Sequence, residues 1–148
     1  MTRIALGSDE VTGLTDALAV ALREGGHEVE LFGPLAGGDE EWVAASAAVG
    51  RAVAAGHAER GVVCCWSGTG ASIAANKVPG VRAALCTDAE TARMARRYND
   101  ANVLALSLRL TSPAMGREIL EAFLAAPAGD EPFDRRNLEQ LAAMEGDG

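Results

Sequence analysis

The segment Gly61–Trp66 (GVVCCW) limits the fold more than any other, because it is apolar at every position rather than at alternate ones. A strand of that kind is buried on both faces and belongs inside a parallel sheet flanked by helices. It runs directly into Ser67-Gly68-Thr69-Gly70, four small residues that read as a tight loop. Towards the N-terminus, Arg3–Ser8 reads as a buried strand. Gly13–Glu24 reads as a helix with Leu14, Ala17, Leu18, Ala21 and Leu22 on one stripe, stopped by Gly25-Gly26. Residues 28–32 alternate as a second strand, and Trp42–Glu59 is an alanine-rich helix whose expected buried stripe is Val43, Ala47, Val53 and Ala54.

Beyond the small-residue loop, Ala71–Lys77 reads as a short helix closed by Pro79-Gly80, and Val81–Cys86 as a fourth strand. Asp88–Tyr98 is a helix capped near Asp88, and Val103–Ser107 a fifth strand. Ser112–Leu124 opens on Ser-Pro, the favoured cap and first-turn pair. A polar stretch at Pro127–Pro132 leads to a last amphipathic segment, Asp134–Glu145. Five strands separated by helices, with no hairpin signal, predict an α/β three-layer sandwich around a five-stranded parallel sheet, as one domain over residues 1–148.

Charge and residue supply narrow the chemistry. Thirteen Lys and Arg against twenty-one Asp and Glu leave a net charge of −8, so nothing draws the chain to a polyanion and nucleic acid is not an expected partner. The opening MTRIALGSDE reaches an acidic pair too soon for a signal peptide, and no apolar run approaches a membrane span, which makes a cytoplasmic protein the expectation. Cys64, Cys65 and Cys86 are odd in number and lack zinc-ligand spacing, so neither disulfide, metal nor other cofactor is expected. His27 and His57 are the only histidines, and both fall away from the strand carboxyl ends.

In such a sheet, ligands bind beyond the carboxyl ends of the strands. Three segments fall there: Gly7–Glu10, Cys65–Gly70 and Cys86–Asp88. Gly68 and Gly70 let backbone amides approach a ligand or a developing oxyanion at a helix N-terminus. Cys65, facing that N-terminus, reads either as a base or nucleophile in thiolate form or as one more buried core thiol. Cys64 points to the opposite face and reads as core, and Cys86 as structural.

The run Ser67–Lys77 (SGTGASIAANK), followed by Gly80–Leu85 (GVRAAL), closely resembles the signature of the type B ribose-5-phosphate isomerases and their galactose-6-phosphate isomerase relatives. The similarity extends to Ile4–Asp9, Gly26–Val29 and Asn99–Leu104, and so to nearly the whole chain. It implies a Rossmann-like homodimer, or tetramer, that interconverts aldose and ketose phosphates without a metal at sites on the subunit interface. By the same resemblance Cys65 is the base, since Ala71 stands where another branch has its glutamate. Ser67 moves a proton between the two oxygens, Gly68 and Gly70 hold the enediolate, Asp9 and Asn99 contact substrate, and Arg109 contacts its phosphate. The C-terminal loop and helix, 127–148, are expected to pack on the partner subunit.

The departures are specific. Glu10 stands where relatives have a phosphate-binding histidine, Tyr98 where they have the histidine credited with ring opening, and bulky Trp66 where they have glycine. Phe133 and Asn137 fall where C-terminal arginines are usual, with Arg135 and Arg136 close by as either phosphate ligands or a solvated face. A carboxylate at Glu10 repels a phosphate and suits sugar hydroxyls instead. Tyr98 either packs or serves as a phenol, a weaker acid–base group near neutral pH than imidazole. The expectation is an isomerase of this type acting through Cys65. The alternatives are a tetrose phosphate or unphosphorylated sugar as substrate, or a non-catalytic, sugar-binding subunit of a heteromer.

Overall fold

The computed structural model describes residues 2–146; Met1 and residues 147–148, the ends of the expected domain, lie outside it. Strands β1 (Arg3–Ser8), β2 (Glu28–Phe32), β3 (Arg60–Cys65), β4 (Ala83–Leu85) and β5 (Val103–Ser107) pair in the order β2-β1-β3-β5-β4, all parallel. Helices α1 (Gly13–Glu24), α2 (Trp42–Ala54), α3 (Thr69–Asn76), α4 (Ala89–Asn99), α5 (Pro113–Ala125) and α6 (Pro132–Gly146) alternate with them. The expected three-layer α/β sandwich is what forms.

Two apolar layers hold it together. On one face Leu14, Leu18 and Leu22 of α1, Ala92 and Ala95 of α4, and Ile119, Leu120 and Phe123 of α5 cover Ile4, Leu6, Val62, Cys64, Leu104 and Leu106. On the other, Val49, Ala52 and Val53 of α2 and Ala71 and Ala75 of α3 cover Ala5, Val63, Cys65, Val103 and Ala105. The side chains of β3 divide between the two layers, so this central strand needs apolar residues throughout.

The chain leaves β1 towards β2 on one side and returns to β3 on the other. The crevice between the β1 and β3 carboxyl ends is therefore the topological switch point, where ligands of open parallel sheets bind.

Several boundaries differ from expectation. Helix α2 stops at Ala54 instead of Glu59, and of the expected stripe Ala47 and Val53 are buried while Val43 and Ala54 are exposed; Ala45, Val49 and Ala52 complete the buried face. Strand β4 is only Ala83–Leu85, because the backbone N–H of Arg82 donates to Asn102 Oδ1 at 2.8 Å rather than to a neighbouring strand. At this sheet edge Asn76 imitates a further strand: its Nδ2 donates to Ala83 O at 2.9 Å and its Oδ1 accepts from Ala83 N at 2.7 Å. The asparagine of the SIAANK run thus has a structural task. Ser112 and Asp88 cap α5 and α4, accepting from the amides of Met115 and Thr91. Among the described residues no helix is long and apolar enough to cross a membrane.

Candidate active site

Cys65 closes β3 and is 6% exposed, with its sulfur on the α2–α3 face. Helix α3 begins immediately beyond, and the Ala71 N–H donates to Cys65 Sγ at 3.4 Å. Ser72 N is already bonded to Gly68 O at 3.1 Å, whereas Thr69 and Gly70, in the first turn, have no intrahelical carbonyl to reach. Amide dipoles therefore converge beside the thiol, an arrangement that suits negative charge on sulfur or on a neighbouring oxygen.

Glycine is required here for two reasons. Gly68, the N-cap of α3, has φ +78°, and a Cβ on it would meet Leu85 Cδ1 at 2.7 Å and Leu106 C at 2.9 Å. A Cβ on Gly70 would meet the Trp42 ring at 2.8 Å. Trp42 thus lies against the loop, a site residue that sequence reading treated only as a helix start.

The other carboxyl-end residues gather around this loop. Register places Ser8 beside Cys64, bringing the Asp9–Glu10 turn next to the end of β3. Ser8 Oγ shapes that turn by donating to Glu10 O at 2.7 Å and accepting from Glu10 N at 3.1 Å. Arg109 follows β5, and its N–H donates to Trp66 O at 3.0 Å, while Leu108 N–H donates to Cys65 O at 2.9 Å. Ser67 Oγ lies 2.7 Å from Thr69 Oγ1 at the exposed rim, and Trp66 is 62% exposed. Cys65, Ser67, Gly68, Gly70, Asp9, Glu10 and Arg109 therefore share one end of the sheet.

Tyr98 and Asn99 do not. They end α4, just before β5, whose first residue Val103 is in register with Gly61 at the opposite end of β3. About 13 Å of strand separates that end from Cys65. Here buried Arg96 donates to Asp100 Oδ1 at 2.9 Å, to Ala101 O at 2.7 Å and to Ala126 O at 3.2 Å. Asp100 itself sits at φ +45° and also takes Arg82 at 3.3 Å. Tyr98 and Asn99 face different cavities, Tyr98 a groove with Arg93 and Arg97, Asn99 a hollow closed by α6. Arg135 reaches Asp130 at 4.0 Å and Arg136 lies over Phe133 at 5.9 Å. The C-terminus of α6 returns to its own chain, where Glu145 accepts the Gly80 N–H at 2.8 Å.

Burial pushes the Cys64 thiol up to about 12, with Cys65 and Asp9 adding to the shift, and pushes Cys86 up to about 11, helped by the charge of Asp88. Neither is suited to accept a proton near neutral pH. Among the described residues no group of three or more His, Cys, Asp or Glu side chains could hold a metal ion.

The family model described as Ribose/Galactose Isomerase matches residues 4–141. The chain is 36% identical over 146 residues to Ribose-5-phosphate isomerase B of Escherichia coli, covering 98% of this chain and 97% of that protein. It is 44% identical to D-erythrulose-4-phosphate isomerase of Pectobacterium atrosepticum over 75 residues, 51% of this chain and 49% of that protein. The solved structure of Clostridium thermocellum Ribose-5-Phosphate Isomerase B superposes with a TM-score of 0.91 at 36% identity, covering 98% of each chain. With the fold, the signature run and the loop geometry all in agreement, the chain belongs to the Ribose/Galactose Isomerase family.

Proposed function

We propose that the protein is an aldose–ketose isomerase of small sugar phosphates, with Cys65 as the base. The observation that carries this reading is the placement of Cys65 Sγ at the switch point, 3.4 Å from the Ala71 N–H and beside the first-turn amides of α3. A C–H bond next to a carbonyl is a weak acid, and removing its proton needs a positioned base together with donors aimed at the oxygen that becomes negative. Thiolate Cys65 takes the proton, the C–H electron pair forms the enediolate double bond, and the Gly68–Ala71 amides hold the enediolate oxygen. Ser67 carries a proton between the two oxygens, and the Cys65 thiol returns its proton to the neighbouring carbon. None of these steps calls on a metal.

Asp9, Glu10 and Arg109 meet the sugar at the Cys65 end. Tyr98 and Asn99, at the other end of the same chain, serve the site of a partner, so the working unit is a cytoplasmic homodimer or tetramer of two-chain sites. The 127–148 segment, with Arg135, Arg136 and the exposed Phe133 and Met144, adds to that interface. Solvent-deuterium exchange into substrate tests the base: Cys65→Ala is expected to abolish exchange with the fold intact, and retained exchange would transfer the role, with Glu10 the first suspect.

Within this reading the favoured substrate is a tetrose phosphate. A phenol at Tyr98 assists ring opening less well than imidazole. A tetrose blocked at its terminal hydroxyl stays open-chain and needs no such help. Comparing turnover of a tetrulose phosphate with that of ribose 5-phosphate decides the point, and faster ribose 5-phosphate turnover would sink it. Size measurement of the purified chain separates a self-sufficient homo-oligomer from a subunit that needs an unlike partner.

A further inference from the structure

The carboxyl end of the sheet is an unfavourable place for a phosphate. Its loops carry Asp9, Glu10, Asp39, Glu40, Glu41 and Asp88 against one cation, Arg109. A dianion there meets several like charges, whereas carbonyl and hydroxyl groups do not.

The Tyr98 end offers the opposite environment. A groove of about 340 Å³ runs between the outer face of α4 and the segment that follows α5, with Arg93, Met94, Arg97 and Tyr98 on one wall and Pro127 and Gly129 on the other. Its walls are tied together: Gly129 N–H donates to Arg97 O at 2.9 Å, and Arg96, 3% exposed, donates to Ala126 O at 3.2 Å. The groove is thus fixed by one backbone and one side-chain hydrogen bond across it. Glu90, the one carboxylate that lines it, is drawn to Arg93 at 3.0 Å, and buried Asp134 stands behind the Gly129 wall, its Oδ2 3.5 Å from where a Cβ on that glycine would sit. Arg97 makes no ion pair or side-chain hydrogen bond among the described residues, and its guanidinium lies 5.5 Å from the Tyr98 ring centroid. Stacking occupies the face of a guanidinium and leaves its N–H edge free, and that edge matches two oxygens of a phosphate.

We propose that this groove is an anion subsite that receives the phosphate of the sugar, with Arg97 as its principal ligand and Arg93 as a second cation. The proposal rests on the isomerase reading for its substrate: the groove of one protomer serves the Cys65 of its partner, and Tyr98 joins the phosphate subsite to the carbon chain. Division of labour follows from charge, with the acidic end handling carbonyl and hydroxyl groups and the arginine groove handling the phosphate.

The first test needs no turnover. Inorganic phosphate, compared with chloride at matched ionic strength, is expected to raise the melting temperature of the full-length protein through mass action. Arg97→Gln is expected to remove that rise, while Arg51→Gln, exposed on α2, keeps it. Equal responses in wild type and Arg97→Gln, or a response lost only in Arg109→Gln, would overturn the proposal. The second test is kinetic. With a tetrose phosphate, Arg97→Gln is expected to raise KM by about ten- to a hundredfold with kcat nearly unchanged, as loss of a charge-assisted bidentate contact that is equal in ground and transition states. Arg97→Lys should recover part of the loss, and kcat/KM for the unphosphorylated tetrose should not move. A fall in kcat at constant KM, or equal losses on both sugars, would count against the subsite. A protein that binds phosphate through Arg97 yet isomerises no sugar keeps the groove and removes the isomerase reading.

Discussion

Cys64 and Cys65 are neighbours on one strand, yet they face different layers of the sandwich. Cys64 points into the α1–α4–α5 layer with no exposure, and burial holds its thiol protonated up to about 12. Cys65 points into the other layer at the strand's last position, where that layer opens onto the first turn of α3 and an amide reaches its sulfur. Strand alternation separates the two side chains, and position along the strand separates their chemistry. A thiol one residue earlier is core; at the end of the strand it meets helix dipoles and the crevice of the switch point.

Truncating each cysteine breaks this comparison most directly. Cys65→Ala is expected to lower turnover by about 10²- to 10⁴-fold, the range for removing a general base. Cys64→Ala should keep turnover, and each variant should lose about 1 kcal/mol of stability to a small cavity, so that turnover and not stability separates them. Paired kinetics and denaturant melts check both, and similar turnover of the two variants would end the distinction. Gly68→Ala is next: forcing a Cβ into the left-handed region and against Leu85 and Leu106 should cost about 2–5 kcal/mol and shift α3 away from the Cys65 sulfur. Iodoacetamide mapping of the native protein at pH 8 then ranks the thiols without mutation. Cys65 should be labelled first, and Cys64 and Cys86, held protonated, should react far more slowly in the folded protein.

The sequence made this contrast readable in part. Continuous apolar residues in Gly61–Cys65 disclose a strand covered on both sides, and strand alternation alone assigns Cys64 and Cys65 to opposite faces. Other features are missed, the first for a local reason and the rest because they depend on contacts distant in sequence. Helix α2 ends at Ala54 although alanine continues through Ala55, because Gly56 turns the chain at φ +79°. Trp42 belongs to the site only because α2 crosses over Gly70, and no local pattern records that crossing. The placement of Tyr98 and Asn99 at the far end of the sheet follows from the direction of α4; the signature residues are adjacent in function only if a second chain brings its own copy. The asparagine of the SIAANK run, read in the sequence only as part of the signature, is occupied by Ala83.

The third cysteine gives the smallest and most selective test. Cys86 is raised first by burial and then by the charge of Asp88, while Asp88 itself lies below the ordinary carboxylate range because its side chain accepts the Thr91 N–H at the α4 cap. A carboxyl lowered in the folded state adds stability that is present above its unfolded value of 3.8 and is lost as pH falls through the folded value. Asp88→Asn retains a good capping residue but cannot titrate, so its stability near neutral pH should stay close to wild type while its acid-side decline below about pH 4 becomes shallower. Removing that charge also withdraws one of the two causes that raise Cys86, so its labelling at high pH should quicken slightly while that of Cys65 is unchanged. Melts between pH 3 and 7, with labelling at pH 9, check both halves. Faster labelling of Cys65 in this variant would mean that the two faces of the sheet are electrostatically coupled and that strand position alone does not account for the difference between the thiols.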